Sequence, residues 1–506
     1  MPTRATRASA FSPRISTPIT DQPSRELAQT EGKRLVLAVI DGLSPDVLES
    51  ALEAGALPTL QFLAERGEYR RGVTTFPSLT PVCLTSIATG AHPDVHGIPH
   101  LVWYHRGEQR IVEYGSSFPA LRAVGARQGL RDTVFNMTHA HMSPDATTVF
   151  EAVEDGGLTP AAINFTCYRG RTRHAIRLPE LAARNRWYEA VYGPKRFFFF
   201  NIFESDVTGA PLAIRSRVEG SIDDYAAAIG RWLVTRDGFD FLVFYLPDYD
   251  YASHQSGPGA AGEALAHADA ALGKLMEAAG DLDVFLERYA VIVCSDHGQT
   301  RVEEAVRLEE RYADLTVFAG RRSGDASRFE VAITASNKAG MVYRLPACPE
   351  DTRQLAERLD GFNGADVVLF REEGLAVARR QGEELRFAPN GVGWRLEGDG
   401  DLLDTERYPD GLERAWCALE CPNAGEVIVS AGEGVEFVDL GGRAHVGGGS
   451  HGSLLAGDSL VPMLAAGFDE PPLGLSPRTI DLAPLTLAHF GIDLPASMRA
   501  RDHVGV

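Results

Sequence analysis

Three apolar runs that each lead into acidic residues constrain the fold of this chain more than any other feature. They span residues 35–40, 239–246 and 289–294, and they are followed by Asp41, by Asp248 and Asp250, and by Asp296. A run that is apolar on both faces is typical of a central strand in a parallel sheet. The carboxyl ends of such strands form the ligand-binding edge of the sheet, so we expect these acids to meet there. A single Asp could cap a turn, but a turn cap does not explain the recurrence.

The segments between these runs have helical periodicity. Helices are predicted at residues 45–54, 58–66, 222–234, 260–279 and about 480–490, with further buried strands at 197–202 and 461–466. Strands that alternate with helices in this way predict a doubly wound, mostly parallel α/β sheet flanked by helices. We place this core at residues 35–302 and 443–506.

The intervening residues 303–442 have a different character. Strands predicted at 340–345, 366–370 and 426–430 alternate with polar, glycine-rich turns. This pattern favours an inserted α+β cap. Because the insertion begins and ends beside candidate site residues, we expect it to shape a cleft.

Composition narrows the set of partners. The chain has 506 residues, 44% of them hydrophobic, and a formal net charge of −20. Such a charge argues against a standing nucleic-acid partner or an anionic membrane surface, which both require a basic face. Residues 1–34 are rich in Arg, Ser, Thr and Pro and carry no apolar stretch typical of a signal peptide or a membrane span, so we expect a disordered tail.

The cysteines bear on the cellular compartment. The chain has six, and none forms a CxxC pair. Three of them lie in apolar runs and are typical of small core residues. We therefore expect no disulfide framework and a reducing, cytoplasmic location.

The segment from residue 75 to residue 97, TFPSLTPVCLTSIATGAHPDVHG, contains a candidate nucleophile. Thr80 precedes Pro81, and apolar residues then recur at helical spacing. This pattern predicts that Thr80 is the N-cap of a helix, where the helix dipole is positive. A hydroxyl in that place is either a cap or a nucleophile, and the segment alone favours the cap.

The candidate metal ligands are distant from one another in sequence. They are Asp41, Asp250, His254, Asp296, His297 and, in a glycine-rich loop, His451. Three carboxylates and three imidazoles suit two divalent metal ions with mixed oxygen and nitrogen ligands, zinc first, with manganese or iron as alternatives.

These motifs, taken in order, resemble the alkaline phosphatase superfamily and, within it, the type I phosphodiesterase/nucleotide pyrophosphatase family. The motifs are Asp41-Gly42, Pro77-Ser78-Leu79-Thr80, Thr89-Gly90, His96-Gly97-Ile98, Asp250 to His254, Ser295-Asp296-His297-Gly298 and His451-Gly452. The resemblance covers roughly residues 34–489, apart from much of the insertion. Each motif is weak alone, but the ordered set is specific.

The resemblance implies a role for each site residue. One metal would bind Asp250, His254 and His451, and the other Asp41, Asp296 and His297, with the oxygen of Thr80 beside the second metal as nucleophile. Thr75 also fits a Thr-Phe-Pro signature, but its distance from Thr89-Gly90 favours Thr80. The family's asparagine after His-Gly-Ile is missing here, where the chain continues Pro99-His100-Leu101-Val102-Trp103.

The predicted activity is metal-dependent hydrolysis of a phosphodiester or pyrophosphate bond through a phosphothreonine, with a small phosphoester, such as a nucleotide, as substrate. A phosphonate hydrolase or a phosphomonoesterase on the same scaffold is the alternative. A sulfatase is disfavoured because no arginine follows Thr80-Pro81 in the required pattern. A binding protein with a decayed site would lack ligands, whereas all six are present.

Several aromatic and histidine residues receive no predicted role. Tyr249, Tyr251 and Trp103 are expected to fill space. We interpret His92, His139, His141 and His445 as loop or surface histidines.

Overall fold

The computed structural model describes residues 32–175, 190–199, 203–205, 220–320, 325–391 and 393–498. The predicted disordered tail lies outside them apart from residues 32–34. Within these ranges no helix is both long and apolar enough to cross a membrane.

The described residues form a central sheet of eight strands. In spatial order they are Gly67–Val73, Leu460–Ala466, Tyr289–Cys294, Arg34–Ile40, Phe241–Leu246, Pro160–Ile163, Arg196–Phe199 and Phe203–Ser205. The five strands from Tyr289–Cys294 to Arg196–Phe199 are parallel. The predicted doubly wound, mostly parallel sheet is therefore confirmed. Of the strand predicted at 197–202, the last three residues lie outside the described ranges.

The first strand shows why both faces of the sheet are covered. Leu35, Leu37 and Val39 pack into one hydrophobic cluster, whereas Val36, Ala38 and Ile40 pack into another. Because side chains alternate along a strand, a run that is apolar at every position must bury both faces.

The three central strands end level with one another. Ile40 pairs with Leu246 on one side, and Val39 pairs with Cys294 on the other. The residues that follow each strand therefore lie at one edge of the sheet, where we expected the acids at the strand ends to meet.

One edge of the sheet is antiparallel. Leu460–Ala466 runs antiparallel to Tyr289–Cys294, and Gly67–Val73 runs antiparallel to Leu460–Ala466. The strand at Leu460–Ala466 was predicted from the sequence, but its direction was not. The strand Gly67–Val73 was not predicted. That edge strand is polar and half-exposed, so it lacks the apolar signal of the central strands.

Helices cover both faces of the sheet. In the described residues the α-helices are Pro45–Glu53, Pro58–Arg66, Thr80–Thr89, Pro93–His96, Phe118–Val124, Ala126–Arg131, Val149–Asp155, Ile222–Val234, Asp248–Ser256, Gly262–Met276, Leu282–Arg288, Thr352–Glu357, Gly411–Glu420, Ala456–Ser459 and Leu482–His489. Asp132–His141 is a π-helix, and Pro258–Ala260, Glu277–Ala279, Leu308–Tyr312, Thr479–Asp481 and Ala496–Met498 are 3₁₀ turns.

The predicted N-cap position of Thr80 is wrong by one residue. Leu79, with extended dihedral angles, precedes the helix, and Thr80 is its first residue. The N-cap residue makes no side-chain hydrogen bond to the helix, because Leu79 has no polar group, and the Thr80 hydroxyl contacts His297.

The insertion carries a second eight-stranded sheet, so the predicted cap is present. Its strands, in spatial order, are Val317–Phe318, Val331–Ser336, Ala339–Arg344, Val427–Ala431, Ala365–Glu372, Leu375–Arg380, Glu383–Asn390 and Gly393–Gly398. Four small sheets pair Thr300–Arg301 with Gly449–Ser450, Glu304–Val306 with Val435–Phe437, Val102–His105 with Arg110–Glu113, and Thr172–Ala175 with Ala190–Gly193. The boundaries 303 and 442 stay predictions.

Candidate active site

Three buried carboxylates meet at the carboxyl edge of the central sheet. Asp41 directly follows the strand Arg34–Ile40, and one residue separates Asp296 from the strand Tyr289–Cys294. Asp250 lies in the first turn of the helix Asp248–Ser256. The chain turns at Gly42 with a φ of 73°, which glycine adopts without strain, and a side chain at this position would also meet Asp250 Oδ1 at 2.8 Å.

Each of the three candidate histidine ligands is oriented by a backbone carbonyl. The Nδ1 atoms of His254, His297 and His451 lie 2.8, 3.1 and 2.8 Å from the carbonyl oxygens of Gly449, Gly298 and Ser78. A carbonyl oxygen only accepts hydrogen bonds, so each Nδ1 carries the proton and each Nε2 presents its lone pair. Histidines that ligate metals are usually held in this way.

Burial keeps these imidazoles neutral. It lowers the pKa of His297 to about 3 and that of His254 to about 4. Burial, together with the neighbouring histidines, lowers the pKa of His451 well below its usual value. At neutral pH all three rings therefore keep a lone pair for a metal ion.

The ligand atoms fall into two groups that share His297. The donor atoms of Asp41, Asp296 and His297 lie within 4.8 Å of one another, and so do those of Asp250, His297 and His451. The rings of His297 and His451 stack with centroids 3.6 Å apart, so the two groups adjoin.

The first group contains the same residues as one ligand set implied by the family resemblance. In the second group, His297 stands where the resemblance implies His254. His254 still borders the group, because its Nε2 lies 3.4 Å from Asp250 Oδ2.

The three carboxylates are buried close together and raise one another's pKa, while His445 acts in the opposite direction on Asp250. Burial and repulsion from Asp250 raise the pKa of Asp41 well above its usual value, and burial and repulsion from Asp41 do the same for Asp296. Burial and Asp296 raise the pKa of Asp250 to about 7. Asp41 Oδ1 and Asp296 Oδ2 are buried and accept no hydrogen bond from the described residues.

These features fit divalent metal ions. Orphaned carboxylate oxygens and neutral imidazole lone pairs, held close together, form the donor set that zinc or a similar ion takes. Asp41, Asp296 and His297 would hold one ion, and Asp250 and His451, with His254 beside them, would hold another.

Thr80 lies next to the first group. Its Oγ1 is 3.0 Å from His297 Nε2, and because that nitrogen carries the lone pair, the hydroxyl donates. Thr80 is half-buried, whereas the rest of its helix, residues 81–89, is buried. The helix is thus held in the core with Thr80 at its accessible end.

Thr75, the competing threonine, has a different environment. It is fully buried, and its Oγ1 lies 2.8 Å from His92 Nδ1. Its carbonyl oxygen accepts a hydrogen bond from Arg414 at 3.4 Å. These contacts are those of a core residue and favour Thr80 as the nucleophile.

Three further side chains form hydrogen bonds with the side chains of candidate ligands. The Tyr245 hydroxyl donates to Asp41 Oδ2, and Gln299 Nε2 donates to Asp250 Oδ1. Tyr245 lies one residue before the end of the strand Phe241–Leu246, and Gln299 directly follows the motif that ends at Gly298. Their positions in the sequence could therefore have indicated that they lie near the site. Asn337 Nδ2, 2.9 Å from His451 Nε2, belongs to the insertion and had no local signal.

The histidines without a predicted role are more buried than expected. His92 is buried but does lie in a loop, between Thr80–Thr89 and Pro93–His96. His141 is buried at the end of the π-helix Asp132–His141, so the expectation of a loop or surface position is wrong for it. His445 stacks on His254 with ring centroids 4.2 Å apart, and its Nδ1 lies 2.7 Å from Glu436 Oε1. Burial lowers the pKa of His445, but Glu436 outweighs it and the pKa is raised overall.

The aromatic residues near the motifs divide into two kinds. Trp103 and Tyr249 are fully buried, as expected for residues that fill space. Tyr251 is 53% exposed, so it lies on the surface beside Asp250 and does not fill the core.

A third group of donor atoms lies where the hairpin formed by Val102–His105 and Arg110–Glu113 meets the end of the π-helix Asp132–His141. It comprises His105, Glu108 and His141. The Glu108 N–H donates to His105 Nδ1 at 3.0 Å, and the Glu108 carboxylate accepts from Arg110 at 2.5 Å. Glu108 is exposed, and exposed acidic groups commonly hold no ion, so we leave this group out of the candidate site.

Comparison with known proteins agrees with this fold. The family model "Type I phosphodiesterase / nucleotide pyrophosphatase" matches residues 35–453. Phosphonoacetate hydrolase from Sinorhizobium meliloti 1021, in complex with phosphonoformate, is 17% identical, with a TM-score of 0.56 over 90% of this chain and 96% of that chain. Murine ectonucleotide pyrophosphatase/phosphodiesterase 5 is 14% identical, with a TM-score of 0.56 over 92% and 96% of the two chains. At such identities the similar structures establish a shared fold.

Proposed function

Because this chain belongs to the type I phosphodiesterase/nucleotide pyrophosphatase family, we propose that it hydrolyses a phosphodiester or pyrophosphate bond with two divalent metal ions and a phosphothreonine intermediate at Thr80. The family is one of phosphoester hydrolases within the alkaline phosphatase superfamily. Zinc is the metal we expect, on the nitrogen-containing donor set.

One observation carries this proposal. The Thr80 hydroxyl donates to His297 Nε2 at 3.0 Å, and the same Nε2 lies 3.3 Å from Asp41 Oδ1 and 3.4 Å from Asp296 Oδ2. A hydroxyl placed among metal ligands is positioned to lose its proton and act as a nucleophile.

The reaction proceeds in two displacements. Thr80 Oγ1 gives up its proton to solvent and attacks phosphorus, the bond to the leaving oxygen breaks, and the leaving group takes up a proton from solvent. Water then attacks the phosphothreonine, which releases the phosphate product and restores the hydroxyl. The metal ions supply the positive charge that favours the deprotonated nucleophile and stabilises the leaving oxygen.

The protein groups position this chemistry. The Gly298 carbonyl holds the His297 ring, and the Tyr245 hydroxyl holds the Asp41 carboxylate. The helix that begins at Thr80 keeps its remaining residues in the core, so the nucleophile sits on a rigid element.

Charge supports a diester over a monoester. Three carboxylates and a deprotonated Thr80 balance two divalent ions, so the proposed site is close to neutral. Lys338, a cation of the insertion, is fully buried with its Nζ 3.5 Å from Asp458. A diester carries one negative charge at phosphorus and a monoester up to two, so the diester requires less additional positive charge.

Phosphonate hydrolysis is the second candidate, since a phosphonoacetate hydrolase shares the fold. The deciding experiment is a panel of nitrophenyl phosphomonoester, phosphodiester and phosphonate ester, with phosphonoacetate, a nucleotide and a nucleotide sugar. We expect the highest kcat/KM for a diester or pyrophosphate, and its loss after chelation. A preference for phosphonoacetate or the monoester would overturn the first candidate.

We also infer the wider setting of this activity. The insertion, from about residue 303 to 442, would act as a cap over the metals and select the substrate. The cytoplasm is the compartment we expect, because all six cysteines are buried and free.

A further inference from the structure

The insertion contacts the candidate site through one hairpin turn. Residues 337–338 join Val331–Ser336 to Ala339–Arg344. The Lys338 N–H donates to the His451 carbonyl oxygen at 2.8 Å. The turn is therefore attached to the backbone of a candidate metal ligand.

Asn337 is held in this turn in one orientation. Its φ is 55°, in the left-handed region that asparagine tolerates better than most residues. Its Oδ1 accepts a hydrogen bond from Ser336 Oγ at 3.0 Å, and its Nδ2 lies 2.9 Å from His451 Nε2. Because His451 Nδ1 donates to the Ser78 carbonyl, Nε2 is an acceptor and the Asn337 amide donates to it.

The same lone pair has a second use. It is the one that His451 would offer to a metal ion shared with Asp250, whose Oδ1 lies 3.9 Å away. Once the lone pair is used in this way, the Asn337 N–H needs another acceptor, because an unsatisfied buried donor is unfavourable. Asn337 is buried, so bulk water does not readily supply that acceptor, whereas a ligand beside His451 would.

We propose that Asn337 donates this hydrogen bond to a phosphoryl oxygen of the substrate and is thus a phosphate-binding residue supplied by the insertion. The inference rests on the proposed function. An anionic oxygen beside His451 and Asp250 is the acceptor that gains most from an N–H donor. Lys338 is committed elsewhere, since its Nζ donates to Thr300 Oγ1 and lies near Asp458.

The test measures binding of inorganic phosphate to zinc-loaded, full-length protein by titration calorimetry, with zinc content determined in parallel. Asn337→Gly removes the amide and keeps the positive φ, whereas Asn337→Asp keeps the shape and replaces the donor by a carboxylate. Gln381→Gly is the matched control, because Gln381 has a φ of 50° in an exposed hairpin turn of the same sheet.

We expect Asn337→Gly to keep its zinc and to weaken phosphate binding by about 10-fold to 100-fold, the usual value of a hydrogen bond to a charged group. Asn337→Asp should weaken phosphate binding further while retaining zinc against a chelator at least as well as wild type, because its carboxylate repels the anion and attracts the cation. Gln381→Gly should match wild type in both measurements.

Wild-type phosphate affinity in both Asn337 variants would overturn the inference. So would a loss of phosphate affinity that merely follows a loss of zinc, which is the result expected if Asn337 only supports His451. If wild type failed to hydrolyse any diester or pyrophosphate but Asn337→Gly still lost phosphate affinity, the proposed function would fall and the inference would stand.

Discussion

Replacement of Thr80 by alanine separates a catalytic role from a structural one. The hydroxyl makes one hydrogen bond, to His297 Nε2 at 3.0 Å, and caps no helix N–H. Its loss costs about 1 kcal/mol, and loss of the half-buried methyl group costs at most about 0.8 kcal/mol. Against a typical stability of about 5–15 kcal/mol, the variant should fold and keep its metal ions.

Activity should change far more than stability. Loss of a covalent nucleophile typically lowers the rate by at least about 1,000-fold, which corresponds to about 4 kcal/mol of transition-state stabilisation. Thr80→Ser should retain partial activity because it keeps the hydroxyl. The assay is hydrolysis of a nitrophenyl diester, with metal content and thermal unfolding measured on the same samples.

Thr75→Ala is the matched control, and we expect it to lower stability more than activity. Thr75 is fully buried, so its removal leaves the His92 ring without this partner and costs about 1–3 kcal/mol of stability. Its activity should stay near wild type once it is folded. Near wild-type turnover by Thr80→Ala, or an inactive Thr75→Ala protein with full metal content, would refute the assignment of Thr80.

Three further predictions concern the metal centre. Protein purified without chelator should contain close to two divalent ions per chain and His451→Ala fewer; an unchanged content in the variant would contradict the ligand assignment. In metal-free protein the pKa of Asp250 is raised to about 7, whereas in the unfolded chain it is near 4, so the folded state binds this proton more tightly. The resulting stabilisation of the folded state is fully present below about pH 4 and is lost as the pH rises toward 7. Because metal binding requires the deprotonated carboxylate, the gap in Tm between metal-loaded and chelator-treated protein should widen from about pH 5 to about pH 7, and a constant gap would count against this account. Gly452→Ala should lower metal retention and activity, because Gly452 has a φ of 119° and its new Cβ would meet Leu79 Cδ2 at 2.9 Å. Gly447→Ala, where φ is 90° but no atom lies within 4 Å, isolates the backbone strain, and equal effects of the two changes would argue against the steric contact.

Local side-chain pattern determined much of the fold. The helices Pro58–Arg66 and Ile222–Val234 and the strand Tyr289–Cys294 have the predicted bounds. A residue's neighbours three or four positions away decide a helix, and alternate positions decide a strand, so both are encoded within a short stretch. The polar edge strand Gly67–Val73 was not predicted, because most of its residues are exposed or only partly buried and need not be apolar.

The candidate site also has features that local sequence predicted and features that it did not. Asp41 and Asp296 were predicted because an acid at the end of a buried strand is a local pattern, and parallel strands end at a common edge. Sequence gave no hint of where the ligands would point, which depends on carbonyl groups such as that of Ser78, 373 residues from His451.

Other features belong to the tertiary structure alone. His297 lies in both ligand groups because its ring stacks on His451. Asn337 reaches His451 across 114 residues, and Tyr245 reaches Asp41 across 204. Sequence patterns report each residue's relation to its chain neighbours, whereas hydrogen bonds and electrostatic interactions act through space. The strand-end acids could therefore be located from sequence, but the partners that set their charge and geometry were decided by the folded chain.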